Sequence, residues 1–222
     1  PIFFLFSPEA IHHFVAAALR FAGYIPGARW IIKTLFTYRH PSLEREVFGI
    51  KFPNPVGLAA GFDKNAGFFR EAAALGFGFV EVGTVTPRPQ PGNPRPRVFR
   101  LTKDNALINR MGFNNKGVEN MVANLRKRSK GRIVVVGGKC VKNTLKPNEE
   151  APVDYLKSFR SLYEYVDYFV VNVSCPNVKD IRKLQNRESL LAILEPLFEF
   201  RRGLNDYRPI LLKVSPDLDR AT

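Results

Sequence analysis

The sequence predicts an α/β fold, a (β/α)8 TIM-type barrel that is incomplete in this chain and preceded by an N-terminal α-helical hairpin. Short runs of apolar, mostly β-branched residues recur along the chain, and stretches of helical periodicity lie between them. This alternation is typical of a parallel sheet whose strands are joined by helices. Five such runs are present, whereas a complete barrel has eight strands in about 250 residues. We therefore expect a barrel truncated after strand five.

The predicted strands are short and predominantly apolar, as expected for strands buried on both faces of a sheet. They are Val56–Ala60, Phe77–Val82, Ile133–Val136, Tyr168–Val173 and Ile210–Val214, and we expect the second and third to end at the glycines that follow them. The predicted helices between the strands lie at about 65–75, 116–129, 152–165 and 187–203. The connection from Thr84 to Asn115 carries five prolines, and connections this long are usually functional.

Residues 1–40 are predicted to form the helical hairpin, and residues 45–222 the barrel. Ser7-Pro8-Glu9 is typical of a helix start, because Ser is a good N-cap, Pro suits the first turn and Glu complements the helix dipole. A second apolar helix is predicted from Ala28 to Phe36. Two interpretations of the hairpin stay open. It packs onto a neighbouring domain, or it lies on a bilayer surface or at the mouth of a site for an apolar ligand.

Composition excludes several classes of protein. The 222 residues are 45% apolar and 24% charged, which excludes a mainly disordered or collagen-like chain. No apolar stretch is long enough for a membrane-spanning helix. The two cysteines, Cys140 and Cys175, imply no disulfide framework and favour a reducing compartment. No His, Cys, Asp and Glu cluster has metal-ligand spacing, so no metal is predicted.

The net charge of +14 is concentrated in one segment, since residues 85–135 hold twelve basic and two acidic residues. Such a segment fits a nucleic-acid or anionic-membrane footprint, or a solvated face with a few residues aimed at small anions. No aromatic pattern interleaves the charges, so we expect no nucleic-acid partner. The basic cluster at residues 126–130 lies at the end of a predicted helix, where cations suit the dipole.

Polar side chains follow the carboxyl ends of the predicted strands, where barrel enzymes place their active sites. These segments are 59–65, 83–84, 109–115, 142–144, 172–177 and 213–216. Amides dominate, and such a set suits hydrogen bonding to the edges of a planar, amide-rich heterocycle. Taken singly, each residue also has a purely structural interpretation: an Asn as a cap, Lys64 on a helix face, Cys175 as a small buried hydrophobe.

Three segments resemble dihydroorotate dehydrogenases: Gly92-Asn93-Pro94-Arg95-Pro96-Arg97-Val98-Phe99-Arg100-Leu101, Asn109-Arg110-Met111-Gly112-Phe113-Asn114 and Asn172-Val173-Ser174-Cys175-Pro176-Asn177. The resemblance runs from about residue 7 to 222, and the hairpin and the Gly61-Phe62-Asp63-Lys64 turn resemble the quinone-reducing class. It implies FMN-dependent oxidation of dihydroorotate to orotate in de novo pyrimidine biosynthesis, with quinone as the electron acceptor. It also implies peripheral contact with a membrane surface through the hairpin, at the cytoplasmic face of a bacterial inner membrane rather than in mitochondria.

The resemblance also implies roles for single residues. Cys175 matches the base that takes a proton from C5 of dihydroorotate while hydride leaves C6 for the flavin. Positions that hold the substrate are matched by Lys64, Asn109, Gly112, Phe113, Asn172 and Asn177, with Lys64 on the carboxylate. Positions that contact FMN are matched by Ala59, Ala60, Gly61, Thr84, Asn143, Asn172 and Lys213. The quinone end of the tunnel is matched by His12 and Arg100.

Two residues depart from the quinone-linked pattern, Cys175 in place of Ser and Val178 in place of Thr. We expect a thiol to serve as the base because free cysteine titrates at about 8.5 and nearby cations lower that value. Two other functions stay open. One is an FMN-dependent tRNA dihydrouridine synthase, which also has a Cys-Pro pair after a strand, although Asn177 argues against it. The other is a truncated, inactive fragment that acts only as a peripheral-membrane binding module.

Overall fold

A computed structural model of the chain describes residues 2–126, 134–178 and 180–217. The helices are α1 Pro8–Tyr24, α2 Ala28–Phe36, α3 Phe69–Ala74, α4 Val118–Arg126, α5 Ala151–Leu162 and α6 Arg187–Arg202. The strands are β1 Arg45–Val47, β2 Ile50–Phe52, β3 Gly57–Leu58, β4 Phe79–Val85, β5 Val98–Leu101, β6 Ala106–Asn109, β7 Val135–Cys140, β8 Tyr168–Asn172 and β9 Ile210–Lys213. Short 3-10 turns occupy Ile2–Leu5, Pro41–Leu43, Thr102–Asp104, Asn148–Glu150 and Ile181–Gln185.

Five strands form one parallel sheet in the order β3-β4-β7-β8-β9. Helices α3 to α6 follow the strands in alternation, which confirms the predicted incomplete barrel. Three predicted features reach into positions 127–133: the end of the helix 116–129, the first residue of the strand Ile133–Val136 and most of the basic cluster 126–130. Residues 127–133 lie outside the described residues.

The predicted ends of the second and third strands were wrong, because β4 and β7 continue through their glycines to Val85 and Cys140. A Cβ at Gly137 would collide with the ring of Tyr168 on the neighbouring strand β8. The glycine therefore marks a close approach inside the sheet rather than a strand end.

The long connection after β4 contains an antiparallel hairpin of β5 and β6 that was not predicted. Its turn ends at Asn105, which takes the left-handed conformation at φ 49°. The prolines that precede this hairpin hid the strand signal in the sequence.

The two faces of the parallel sheet bury different side chains. On the outer face, Val80, Val136 and Val171 join one core cluster with helix residues such as Leu125 and Phe159. On the inner face a second cluster contains Val135, Tyr168, Val170 and Ile50. Ile50 belongs to β2, so the β1–β2 hairpin closes the amino-terminal end of the sheet. The carboxyl-terminal end of the inner face is left for polar residues.

The N-terminal hairpin of α1 and α2 begins as predicted, with the Ser7 hydroxyl accepting the N–H of Ala10 at 3.3 Å. An ion pair between Arg29 and Glu71 (3.1 Å) ties α2 to α3. Many large apolar side chains of the hairpin and its leading segment are exposed, namely Phe3, Phe4, Phe6, Phe14, Phe21, Tyr24, Trp30, Leu35 and Phe36. Within the described ranges, no helix combines the length and apolarity needed to cross a membrane.

Candidate active site

A cavity of about 500 Å³ lies between α1 and the loops at the carboxyl end of the sheet. Its lining includes His12 and Ala16 from α1, Phe62 and Lys64 from the loop after β3, and Asn114 from the loop after β6. The structure therefore brings together His12 and Lys64, which the sequence assigned to different ligands. This cavity joins the hairpin to the predicted substrate loops.

Lys64 is a half-buried cation in this cavity, and its hydrogen-bond partners are neutral. Its Nζ donates to Asn114 Oδ1 at 2.6 Å and to Met111 Sδ at 3.2 Å. Burial lowers the pKa of Lys64 to about 8, and the charge of Arg97 adds to this effect while Glu9 opposes it. A ligand carboxylate at this point would restore a counter-charge to the ammonium.

The loop that carries Lys64 is fixed by hydrogen bonds to the next strand. The N–H of Gly61, at φ 111°, donates to Gly83 O at 2.8 Å, and the N–H of Gly83 donates to Asp63 O at 3.1 Å. The buried carboxylate of Asp63 accepts the N–H groups of Gly67 (2.7 Å) and Phe68 (2.9 Å). Burial raises the pKa of Asp63, and these hydrogen bonds oppose the rise. Asp63 thus holds the loop in place.

The predicted substrate loops meet through their amides. Asn177 Nδ2 donates to Asn109 Oδ1 at 3.2 Å, across 68 residues of chain. Asn93 Nδ2 donates to the carbonyls of Asn177 (3.3 Å) and Arg110 (2.9 Å). A Cβ at Gly112 would crowd the Asn93 side chain, so only glycine allows this approach. Phe113 follows, half-buried.

Cys175 lies just beyond β8, half-buried, beside a chain of polar groups. Asn172 Oδ1 accepts the hydroxyl of Ser174 at 3.0 Å, and Lys213 Nζ donates to that hydroxyl oxygen at 2.8 Å. Burial raises the pKa of Cys175, although an N–H from Asn177 and the charges of Lys213, Lys139 and Arg182 oppose the rise. The neighbouring cations act in the expected direction, but desolvation outweighs them, so the pKa of Cys175 is raised overall.

Asn143 is a predicted FMN contact, but both the nitrogen and the oxygen of its side-chain amide form hydrogen bonds to a neighbouring loop. Its Nδ2 donates to Arg88 O (2.9 Å) and Gln90 Oε1 (3.1 Å), and its Oδ1 accepts the Arg88 N–H (3.0 Å). Its backbone N–H donates to Asp154. In this arrangement Asn143 holds the loop at residues 88–90.

The other predicted FMN positions fit a flat, polar-edged ring at the end of the sheet. Ala59, Ala60 and Gly61 are small, and a Cβ at Gly61 would meet nothing within 4 Å. Lys213 and Asn172 are paired in register on β9 and β8, and Thr84 lies buried near the end of β4. Open space beside small residues, with amide and ammonium donors at its edge, suits a flavin.

The two residues predicted to contact the quinone, His12 and Arg100, lie in different surroundings. The His12 ring packs edge-on against Phe62, with centroids 4.8 Å apart, and burial, His13 and Lys64 lower the pKa of His12. Arg100 instead donates to Phe6 O at 2.6 Å and lies over the Phe4 ring. Arg100 therefore contacts the segment that precedes α1.

Sequence reasoning did not single out Arg97, whose contacts join α1 to the loop that follows β4. Arg97 is buried and donates to Glu9 Oε1 (Nη2, 2.7 Å), Pro91 O (2.7 Å) and Asn93 O (2.9 Å). The available signal was Glu9 itself, the one acidic residue of α1.

The buried ion pair of Lys139 was not predicted either. Lys139 is 8% exposed on β7, and its Nζ lies 3.5 Å from Glu81 Oε1 on β4. Two opposite charges inside predominantly apolar strand runs were the signal here. Among the residues that the structure describes, no group of three or more His, Cys, Asp or Glu side chains could hold a metal ion.

Comparison with known proteins identifies a matching family. The family model described as dihydroorotate dehydrogenase matches residues 42–222. A relative from Christiangramia forsetii named dihydroorotate dehydrogenase (quinone) is 52% identical over 98% of this chain and 63% of its own length. A relative of the same name from Cellvibrio japonicus is 45% identical, again over 98% of this chain and 63% of the relative. The chain thus spans less than two-thirds of the length of these curated relatives.

Solved structures give the same result. A crystal structure of DHODH from Eimeria tenella in complex with ferulenol is 34% identical, with a TM-score of 0.79, and the match covers 96% of this chain and 60% of that one. The ligand-free structure from the same organism is 36% identical, with a TM-score of 0.82, over 95% of this chain and 62% of that one.

Proposed function

This chain belongs to the dihydroorotate dehydrogenase family, and from that premise we propose that the protein oxidises dihydroorotate to orotate with FMN as cofactor and a quinone as the electron acceptor. The names printed for its relatives support the reaction and the acceptor. The observation that carries the proposal is the Lys64 ammonium, which donates only to the neutral acceptors Asn114 and Met111 among its described hydrogen bonds. No comparison supports a tRNA-modifying enzyme or a non-enzymatic membrane module.

In this proposal the protein's own residues bind and orient the substrate. Lys64 forms a charge-assisted hydrogen bond with the carboxylate of dihydroorotate. The paired amides of Asn109 and Asn177 present donors and acceptors that match the amide edges of the pyrimidine ring. Cys175 accepts the proton from C5, so that the electron pair of the C5–H bond forms the C5–C6 double bond. FMN, when bound, supplies the acceptor for the hydride that leaves C6.

Two groups of residues would hold FMN in this proposal. The small residues Ala59–Gly61 leave room for the ring at the end of β3, and Asn172, Lys213 and Thr84 offer polar groups at its edge. Lys213 reaches this edge because Ser174 holds its ammonium at 2.8 Å. Asn143 would contact the cofactor only if the loop at 88–90 released its amide.

We propose that the quinone enters through the cavity between α1 and the barrel. The cavity carries the half-buried ring of His12 next to Phe62, and the adjoining hairpin exposes apolar side chains including Phe14, Phe21 and Trp30. A helical pair with such a surface suits the interface of a bilayer, where quinones dissolve. Membrane contact through the hairpin is therefore part of the proposal.

The test is anaerobic flavin reduction by dihydroorotate in the purified full-length protein, followed by addition of a water-soluble ubiquinone analogue. We expect dihydroorotate to bleach the flavin absorbance and the quinone analogue to restore it. NAD+ and fumarate serve as control acceptors and should restore it far more slowly. A flavin that dihydroorotate does not bleach would contradict the reaction, and faster recovery with NAD+ or fumarate would contradict the acceptor.

A further inference from the structure

A second cavity, of about 310 Å³, lies where α1 and α2 meet α3. Among the residues that the structure describes, its lining carries three guanidinium groups and one carboxylate, namely those of Arg20, Arg29, Arg70 and Glu71. Small-molecule sites have volumes of about 300–1,000 Å³. The cavity therefore has the size of a small-ligand site and an excess of positive charge.

The carboxylate in this lining is already engaged. Glu71 is buried, and its Oε1 accepts a hydrogen bond from Arg29 Nη2 at 3.1 Å. The same Nη2 donates to Gly23 O at 3.2 Å, and a Cβ at Gly23 would collide with the Glu71 carboxylate. The ion pair therefore fills the contact between α1 and α3, and it fixes the Arg29 guanidinium at the wall of the cavity.

Two guanidinium groups still have donors to offer. The Nε of Arg29 is buried and has no hydrogen-bond partner within the described part of the chain, and a buried donor without an acceptor is costly. Arg20 is exposed and forms no hydrogen bond or ion pair with a described residue. An anion in the cavity would satisfy both, and arginine is well suited to phosphate because its fork of donors can bind two oxygens at once.

Exposed apolar side chains border this cationic cavity. Tyr24 lines it and is 79% exposed. Phe14 and Phe21, both exposed, lie seven positions apart and so share one face of α1, and the exposed Trp30 follows Arg29 on α2. A free anion would use only the arginines, whereas a molecule that joins a phosphate to acyl chains would use the arginines and the apolar surface together.

We propose that the cavity between α1, α2 and α3 binds the phosphate of an anionic phospholipid, with Arg20 and Arg29 as its donors and the exposed apolar side chains of the hairpin under the acyl chains. The inference rests on the proposed membrane contact of the hairpin and assigns it a specific headgroup site. Arg20 and Asn124 line both this cavity and the one that holds His12, so the bound lipid would lie beside the proposed route of the quinone.

The test is calorimetric titration of the purified full-length protein with dihexanoylphosphatidylglycerol, a short-chain lipid kept below its micelle concentration. We expect Arg20→Gln to weaken binding about tenfold or more, the effect of losing a charge-assisted hydrogen bond. Arg20→Lys keeps the charge but loses the fork of donors, so it should weaken binding as well. Both variants should fold, because Arg20 is exposed.

The matched control is Lys33→Gln. Lys33 is an exposed cation on α2 of the same hairpin but does not line the cavity, so its loss should leave the affinity unchanged. Equal affinities in wild type and Arg20→Gln, or equal losses in Arg20→Gln and Lys33→Gln, would overturn the site. Inorganic phosphate is titrated in parallel and should bind at least about ten times more weakly than the lipid; equal affinity would mean a free-anion site and overturn the lipid as its occupant.

Cosedimentation with vesicles separates this inference from the membrane contact on which it rests. Vesicles of phosphatidylcholine alone are compared with vesicles that also contain phosphatidylglycerol, and we expect Arg20→Gln to reduce binding to the second kind only. If wild type binds neither kind while the short-chain lipid still depends on Arg20, the site stands and the membrane contact fails. If wild type binds both kinds and Arg20→Gln binds them equally well, the membrane contact stands and the headgroup site is overturned.

Discussion

The buried guanidinium of Arg97 donates to the carboxylate of Glu9 at 2.7 Å, across 88 residues of chain. The same guanidinium donates to the carbonyls of Pro91 and Asn93. Asn93 in turn contacts Asn177 of the predicted substrate site. One side chain thus connects the first turn of the hairpin to the loops proposed to hold the substrate, so disturbing the pair should affect both ends.

We expect Glu9→Gln to lower the free energy of unfolding by about 3–5 kcal/mol, the cost of leaving one partner of a buried ion pair alone. It should also slow flavin reoxidation by quinone more than reduction by dihydroorotate. The exposed Glu46→Gln is the control for loss of one acid. Urea unfolding and two-stage stopped-flow kinetics provide the measurements, and equal effects of the two variants would contradict a coupling role.

The same pair predicts a pH dependence of stability. Hydrogen bonds and the charges of Arg97 and Arg95 lower the pKa of Glu9, although burial opposes them. A carboxyl with a lowered folded pKa contributes stability above its unfolded pKa and loses it as the pH falls through the folded value. We expect wild type to lose stability below about pH 4.5, and Glu9→Gln to lose less over that range.

Lys64 predicts how ligand affinity changes with pH. Its pKa of about 8 means that the cation is lost above pH 8 in the free protein. Orotate keeps its carboxylate throughout this range, so its dissociation constant should rise with pH above 8. Lys64→Ala should weaken orotate binding by about 1.5–3 kcal/mol, with flavin content near normal and a flat pH profile.

Flavin difference spectra measure this binding, and Lys116→Ala is the matched control. Lys116 lines the same cavity but is exposed, so its variant should keep the wild-type affinity and pH profile. Orotate affinity in Lys64→Ala equal to that of wild type would contradict the assignment of the carboxylate to Lys64.

The exposed apolar face of the hairpin predicts membrane binding. We expect the double change Trp30→Ser and Leu35→Ser to reduce cosedimentation with liposomes and to slow reoxidation by a lipid-soluble quinone, because both side chains are more than 70% exposed. Flavin reduction by dihydroorotate should be unchanged. Val153→Ser on α5, also exposed, is the control. Liposome binding that survives the double change would contradict a membrane role for this face.

Local patterns predicted the strands and helices well, because periodicity reports which face of an element is buried. Lys64 and Cys175 could be put forward as site residues because both lie in motifs contiguous in sequence. The contacts Glu9–Arg97 and Glu81–Lys139 were not found, because they depend on strand register and on where a helix packs. The sequence likewise could not show that the side-chain amide of Asn143 is hydrogen-bonded to a neighbouring loop.

Cys175 is the residue on which the proposed reaction depends most directly. Burial raises the pKa of its thiol, so near neutral pH only a small fraction is the thiolate that accepts a proton. We expect the wild-type rate of flavin reduction to rise by about tenfold per pH unit until the thiol titrates.

Cys175→Ser should keep FMN and bind orotate but reduce its flavin about 10²–10⁴ times more slowly, the range for losing a general base. Its residual rate should still rise with pH where the wild-type rate has levelled off, because a serine hydroxyl titrates far above a thiol. Cys175→Ala should be at least as slow and show no thiol titration. Cys140→Ala, which removes the other thiol from the outer core, should keep the wild-type profile. Anaerobic stopped-flow bleaching measured against pH provides the comparison. Wild-type rates and pH dependence in both Cys175 variants would show that another group accepts the C5 proton.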